Sequence, residues 1–396
     1  MTHLRDVLIP RSMLHDPDAF GGVLQADCLR GDLVMDNNGA QRLVAAAPTD
    51  TPRMLIPTLA EAHCHLDKCY SLARIGSVGG DLATAIEAQM KDKSYWTAQD
   101  LRQRMTRGLA ELTASGCTLV RSHIDWGEKT APPLAWSILA EVAQDTSDIL
   151  VQSAALTGID QLADRSFCFD VAKHIAAQHG GVLGAFVLHH KQIETGLAHV
   201  FAAAEHYGLM LDFHVDEGLG EWNGLEAICD VALKTGHAGP ILCGHAVSLI
   251  DRDSDDLKRI LDKLSQTNIS ICALPTTNLY LQGRRPATPD RRGLTRLREL
   301  HEAGVPIIVA SDNVADAFCP MGQHDPRAAL HLAALAAHLD PPMGDWLPAI
   351  THNPARALGV DPVFVDTASP TQIRVCAATT TADLVAGRAP LSPLET

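Results

Sequence analysis

Short apolar runs alternate with longer amphipathic stretches along most of the chain. "CTLVRSHID" (117–125) follows the amphipathic "TRGLAELTASG", and "LMLDFHVDE" (209–217) follows "GLAHVFAAAEHYG". "ILVQSAALTG", "VLGAFVLHH", "PILCGHAVSL", "ISICALPTTN" and "VPIIVASDN" continue the rhythm. Runs this short and this apolar fit strands buried on both faces, and the stretches between them fit helices with one apolar stripe. With "TLAEAHCHL" (58–66) there are about eight strand candidates, the number a closed (β/α)₈ barrel needs. An open doubly wound sheet fits the count less well.

The two ends read differently. Residues 1–57 are rich in Asp, Asn, Gly and Pro around brief apolar bursts such as "VLI" and "RLVAAA", a pattern of small strands joined by turns with no long helix. After "THNPARALGV" the helical rhythm stops, and "VFVDTASPTQIRVCAATTTADLVAG" again reads as strands and turns. The expected fold class is therefore α/β: a barrel over 58–358, with 1–57 and 359–396 pairing into one small β domain.

Composition narrows the partners. With 396 residues, 46% of them hydrophobic, the chain can bury the core of a large barrel. A formal net charge of −15 argues against a nucleic-acid surface, which needs clustered Lys and Arg. A small-molecule partner is expected instead. The 10 cysteines stand singly, with no CxxC pair, as buried thiols of a reducing compartment would. The first residues are broken by charges and proline, and the apolar run "LHLAALAAHL" is short, so no signal, no membrane span and a cytoplasmic location are expected.

The chemistry gathers at strand ends. In "AEAHCHLDK", His63 and His65 lie two apart and would face one side of a strand, with Cys64 on the other. His214 ends "LMLDFH", His245 ends "ILCGH" and Asp312 ends "PIIVASD", all at the C-terminal face where barrels build their sites. A lone histidine there is more often a hydrogen-bonded core residue, but the recurrence favours a metal. Imidazole and carboxylate donors with an open position suit a catalytic zinc or iron ion. Glu217, three residues after His214, is either a solvated loop carboxylate or a proton carrier beside that metal.

Taken in order, "HCHLDK", "VRSHID", "DFHVDE", "GHAVSL", "NLYLQGR", "RRGLTRLREL", "ASDN" and "THNPARALG" resemble the amidohydrolase superfamily, within it the cytosine deaminase-like branch that includes N-isopropylammelide amidohydrolase. The resemblance implies a distorted (β/α)₈ TIM barrel flanked by a β-sandwich made from both termini. It implies one divalent metal ion, zinc or iron, held by His63, His65, His214 and Asp312. Glu217 would shuttle protons, and His245 would orient or deprotonate the water with Asp312. Dinuclear relatives carry a carboxylated lysine after the fourth strand; here "GAFVLHHKQ" places Lys191 several residues late, which favours one metal and leaves His189 and His190 as substrate contacts or surface residues.

The resemblance also implies metal-dependent hydrolytic deamination or dealkylamination of an amino-substituted heterocycle such as a pyrimidine or triazine, by a homo-oligomer. Departures bear on the substrate. Cytosine deaminases read the base with a glutamine where this chain has Leu156; Asn313 replaces an aspartate, and Phe318 stands for a stacking tryptophan. A site built around a hydrogen bond discriminates by factors of roughly 10⁴ to 10⁵, so cytosine is not the expected substrate. Asp67, Lys68 and Gln282 are further candidate contacts, with ion pairing and loop packing as their plain alternatives; Gln152, four residues before Leu156, is expected to be buried deeper. Two other readings stay open: a cyclic amide or lactam hydrolase on the same scaffold, and a non-catalytic metal-binding oligomer.

Overall fold

The computed structural model describes residues 2–36, 39–45, 49, 51–76 and 78–394. Seven strands form a sheet from both ends of the chain: β1 (Thr2–Pro10), β2 (Val23–Gln25), β3 (Cys28–Asp36), β4 (Gly39–Val44), β5 (Arg53–Pro57), β14 (Ile373–Cys376) and β15 (Ser392–Pro393). Its order is β15-β14-β5-β1-β3-β2, with β4 on β3. The two termini meet where β5 and β14 run antiparallel, Pro57 opposite Ile373. "RLVAAA" supplies the end of β4; Ala46 and Ala47 lie outside the described residues. "TADLV", which reads as strand, is instead a helix, Thr381–Val385, started by the Thr380 hydroxyl accepting from the Asp383 amide.

The second sheet is the barrel: β6 (Leu59–Cys64), β7 (Cys117–Asp125), β8 (Leu150–Gly158), β9 (Gly181–Val187), β10 (Leu211–Val215), β11 (Ile241–His245), β12 (Ile269–Ala273) and β13 (Ile307–Val309). Each pairs in parallel with the next in chain order, the pattern of an eight-stranded barrel wound with crossover helices. The strands read as continuous apolar runs because both faces are covered: every residue of β6, β10, β11, β12 and β13 is buried. One apolar cluster joins the sheets, running from Val7 and Leu55 of the terminal sheet to Phe213 and Ile271 of the barrel. All ten cysteines are buried free thiols. Among the described residues no helix is long and apolar enough to cross a membrane.

The barrel interior is unusually polar. On β7 Arg121, His123 and Asp125 alternate along one face, and the first two find partners across the barrel. Arg121 Nη1 donates to Asp212 Oδ2 (2.9 Å), and its Nε and Nη2 donate to Gln152 Oε1 (3.0 and 2.7 Å). His123 Nε2 lies 2.8 Å from Asp212 Oδ1. Gln152 also donates to the Leu358 carbonyl (2.8 Å), so it is satisfied deep in the barrel, as its position four residues before Leu156 implies. Arg121 and Asp212 are both fully buried, and their pairing offsets a desolvation cost that either alone would leave uncompensated.

Candidate active site

Strand ends deliver the site. His63 and His65 come from β6 and the turn after it, His214 from β10, His245 from the end of β11, and Asp312 from just beyond β13. The backbone turns sharply where two of them leave the sheet: His245 has φ +69° and Asp312 φ +61°, left-handed conformations that non-glycine residues seldom adopt and that cluster at functional sites. All five side chains are buried.

Their donor atoms converge. His65 Nε2 lies 3.1 Å from His214 Nε2 and 3.3 Å from Asp312 Oδ1, and His63 Nε2 lies 3.6 Å from the same oxygen. Two ligands each about 2.0–2.1 Å from a shared ion stand roughly 3–3.5 Å apart, so these separations fit a common metal. Both ring nitrogens of His63 and both carboxylate oxygens of Asp312 are buried without a hydrogen-bond partner, a vacancy in polar bonding that a cation would fill. The structure thus contains a histidine–aspartate cluster able to bind a metal. Among the described residues two donor sets lie within a common 4.8 Å, His63, His245 and Asp312, and His63, His123, Asp212 and His214; His65 is in neither and joins the cluster through its 3.1 and 3.3 Å approaches to His214 and Asp312. The second is the poorer cage, because both Asp212 oxygens are already taken by His123 and Arg121.

Electrostatics prepare the same atoms. Burial, reinforced by the neighbouring imidazoles, holds His63 and His214 well below the ordinary histidine range, so both are neutral and have a lone pair to give. At Asp312 burial opposes ionisation, but the His65 ring, 3.3 Å from Oδ1, and the His245 ring outweigh it and keep the carboxyl below its usual range. Glu217 behaves oppositely: burial, then the Asp312 charge, pushes it well above the usual carboxylate range. His245 is lowered to about 4, chiefly by burial. Its Nε2 stands 3.6 Å from Glu217 Oε2, and since both groups are neutral this is proximity rather than an ion pair. Asn278 Nδ2 lies 3.0 Å from the other ring nitrogen and fixes the ring.

Over the cluster lies a cavity of about 300 Å³ whose floor is His65, His214, Glu217, His245 and Asp312. Leu156, Asn313, Phe318 and Lys68 line it, as the sequence indicates. Asp67 and Gln282 do not. Asp67 turns to the Asp125 amide (3.1 Å), and Gln282 Nε2 donates to the Glu217 carbonyl (3.2 Å). Pro275 opens a helix, Pro275–Leu281, and Gln282 lies in the turn that follows it. His189 is exposed, and neither it nor His190 reaches the cavity.

Several cavity residues escape the sequence reading. Helix Leu82–Asp92 offers Leu82, Ile86, Gln89 and Met90, and Lys93 follows it. Their spacing of four, seven and eight is a helical stripe, but nothing local says that the stripe faces a strand end. Asp125 takes Lys68 Nζ at 2.8 Å and Lys93 Nζ at 2.5 Å, and Lys68 also stands 2.9 Å from His65 Nδ1. The signal for Asp125 was present: Arg121, His123 and Asp125 alternate along one strand face.

Gly244 shows how tightly the cluster is packed. A Cβ there would stand 2.7 Å from His63 Cε1 and 2.9 Å from its Nδ1. Gly244→Ala is therefore expected to push the ring aside and to weaken zinc binding by about 10–100-fold, the range for disturbed ligand support; a competition titration with a chromogenic chelator would show it, and wild-type affinity would contradict it.

The model of the amidohydrolase family matches residues 76–363. A pterin deaminase of Rhizobium rhizogenes strain K84 is 35% identical over 343 residues, covering 85% of this chain and 77% of the relative. The chain belongs to the amidohydrolase family. A more distant member, the N-isopropylammelide isopropyl amidohydrolase of Pseudomonas sp. strain ADP, is 20% identical over 324 residues, 78% of this chain and 75% of that protein. Among solved structures, the 5-methylcytosine deaminase of Klebsiella pneumoniae with phosphonocytosine superposes with a TM-score of 0.81 at 23% identity, over 98% of this chain and 95% of the other, which establishes the shared fold. In this amidohydrolase the departures at the cavity wall are physical: Leu156 brings an apolar edge, and Asn313 donates to Asp316 (2.7 Å), whose other oxygen accepts the Phe318 and Cys319 amides (2.8 and 3.0 Å) and so sets the Phe318 ring.

Proposed function

We propose that this amidohydrolase replaces an exocyclic amino group of a nitrogen heterocycle by oxygen, releasing ammonia, with one divalent metal held by His63, His65, His214 and Asp312, and that a pterin-like bicyclic ring is its substrate class. The observation that carries the reading is the pairing of a buried, proton-holding Glu217 with a ring of neutral imidazoles and an ionised Asp312 on the floor of one cavity. The likeness to a pterin deaminase supports the ring class, as do the cavity's size and its apolar walls of Leu82, Ile86, Leu156 and Phe318. Cytosine fits poorly against Leu156.

Imidazole and carboxylate donors suit zinc or iron. Such an ion, when bound, supplies Lewis acidity that brings the pKa of water toward 7. Asp312 and His245 face the attacking water and accept its proton. As the C–O bond forms, Glu217 delivers a proton to the adjacent ring nitrogen. The Glu217 carboxylate then takes the proton of the newly formed hydroxyl and passes it to the amino group, the C–N bond breaks so that ammonia leaves a ring carbonyl behind, and the proton held since the attack by Asp312 or His245 restores the Glu217 acid. Asp216 holds the Glu217 turn in place by accepting the Gly224 and Leu225 amides (2.9 and 3.0 Å). In the same reading the barrel unit spans 58–358, the terminal unit 1–57 and 359–396, and the enzyme works as a cytoplasmic homo-oligomer.

The test is ammonia release by metal-loaded protein across pterins, aminopyrimidines and amino-substituted triazines, with the product identified. Ammonia in step with an oxygen-for-amino product from the pterins is expected; a ring-opened product that keeps its nitrogen would replace deamination by ring hydrolysis.

A further inference from the structure

The barrel is closed most thinly where its first strand meets its last. Every consecutive pair from β6 to β13 shares a ladder, whereas β6 and β13 meet, among the described residues, through one isolated bridge between Cys64 and Asp312 and through the Asp312 amide donating to the His63 carbonyl (2.9 Å). Yet this seam carries three of the four metal donors, His63 and His65 on one side and Asp312 on the other. Their spacing is only as well defined as the seam.

The β6 side is also irregular. Against β7, Glu61 pairs with Val120 and Cys64 with Ser122, so three steps on one strand match two on the other and a bulge falls at Ala62–His63. A bulge leaves backbone amides off the ladder, and a buried amide without an acceptor is costly. Glu61 supplies the acceptors. Its Oε1 takes the His63 amide at 3.1 Å and the Ser311 amide at 3.3 Å, and its Oε2 takes the Ser311 amide at 3.1 Å. The side chain is fully buried. One carboxylate thus binds the backbone of a metal donor on the first strand and the residue before a metal donor after the last.

We propose that Glu61 is a positioning residue that staples the barrel seam, holding His63 and Asp312 at their mutual spacing before any metal arrives. The inference rests on the reading of these residues as metal donors. It also says why an acid stands two residues before the first histidine, where an apolar side chain would fill a barrel interior equally well.

Glu61→Gln tests it, because glutamine keeps the shape but has a single acceptor oxygen and must turn its NH₂ toward one of the two amides. Zinc affinity is expected to fall by about 10–100-fold, and the absorption bands of the cobalt-loaded protein to shift, while the far-ultraviolet circular dichroism stays that of the wild type. Unchanged zinc affinity together with an unchanged cobalt spectrum would overturn the proposal. Should the variant fail to fold, hydrogen exchange on the metal-free wild-type protein decides instead. Segments 61–65 and 309–313 are expected to stay protected without metal, and exchange there as fast as in exposed loops would overturn the staple. A wild-type protein that binds no zinc or cobalt would sink the metal centre itself, and the exchange result would still judge the seam.

Discussion

Glu217→Gln is expected to lower turnover by about 10²–10⁴-fold, the usual loss when a positioned acid–base group is removed, while the protein keeps its metal and its fold. The separation follows from what Glu217 touches. Among the described residues its carboxyl makes no hydrogen bond, His245 Nε2 stands 3.6 Å from it, and it lies outside the grouped donor atoms. Glutamine therefore removes the transferable proton and little else. Because burial and the Asp312 charge raise the Glu217 pKa, the proton-bearing form survives to higher pH than in a free glutamic acid. The alkaline limb of the wild-type kcat profile should accordingly lie above the ordinary carboxylate range, and the variant should lose that limb. Steady-state kinetics and metal analysis on the same preparation check this; wild-type kcat in metal-replete Glu217→Gln would remove Glu217 from the mechanism.

Asp312→Asn is expected to be the more damaging change, by more than about 10³-fold in kcat/KM, because in the proposed mechanism it removes a metal donor and a proton acceptor at once. Asparagine tolerates the left-handed φ of +61° found here, so the strand-end turn should persist. Neither Asp312 oxygen is committed to a hydrogen bond, so no structural bond is lost. What goes is the one carboxylate among the proposed donors, beside which burial keeps His63 and His214 neutral. The variant should show a wild-type circular dichroism spectrum, greatly weakened zinc binding, and only partial recovery of activity with excess metal. Recovery to the wild-type rate would confine Asp312 to affinity and deny it a part in proton transfer.

The barrel and its cluster were legible because period and position are local properties. Alternation put His63 and His65 on one face, and three other apolar runs ended on His or Asp, which in a barrel means one rim. The same period-two rule would have picked out Arg121, His123 and Asp125, and it points at Glu61 as well. The cavity wall was not legible. Lys68 follows the HxH pair and reaches the cavity, yet Asp67, one residue earlier, turns to the Asp125 amide; the direction of a tight turn after a strand is set by its neighbours. Gln282 lies in a turn after the seventh strand, as its sequence suggests, but its side chain is drawn to the Glu217 carbonyl, a partner 65 residues away that nothing local announces. Helix Leu82–Asp92 lines the cavity through tertiary packing alone, far in sequence from every strand end it covers.

The central claim is that a single metal in the His63, His65, His214 and Asp312 cluster drives deamination. The most direct test is to strip the protein of metal and follow ammonia release from a pterin as zinc is added back. A rate near zero without metal, rising linearly and levelling at one ion per chain, is the predicted result. Undiminished release from metal-free protein, or a plateau only at two ions per chain, would contradict it.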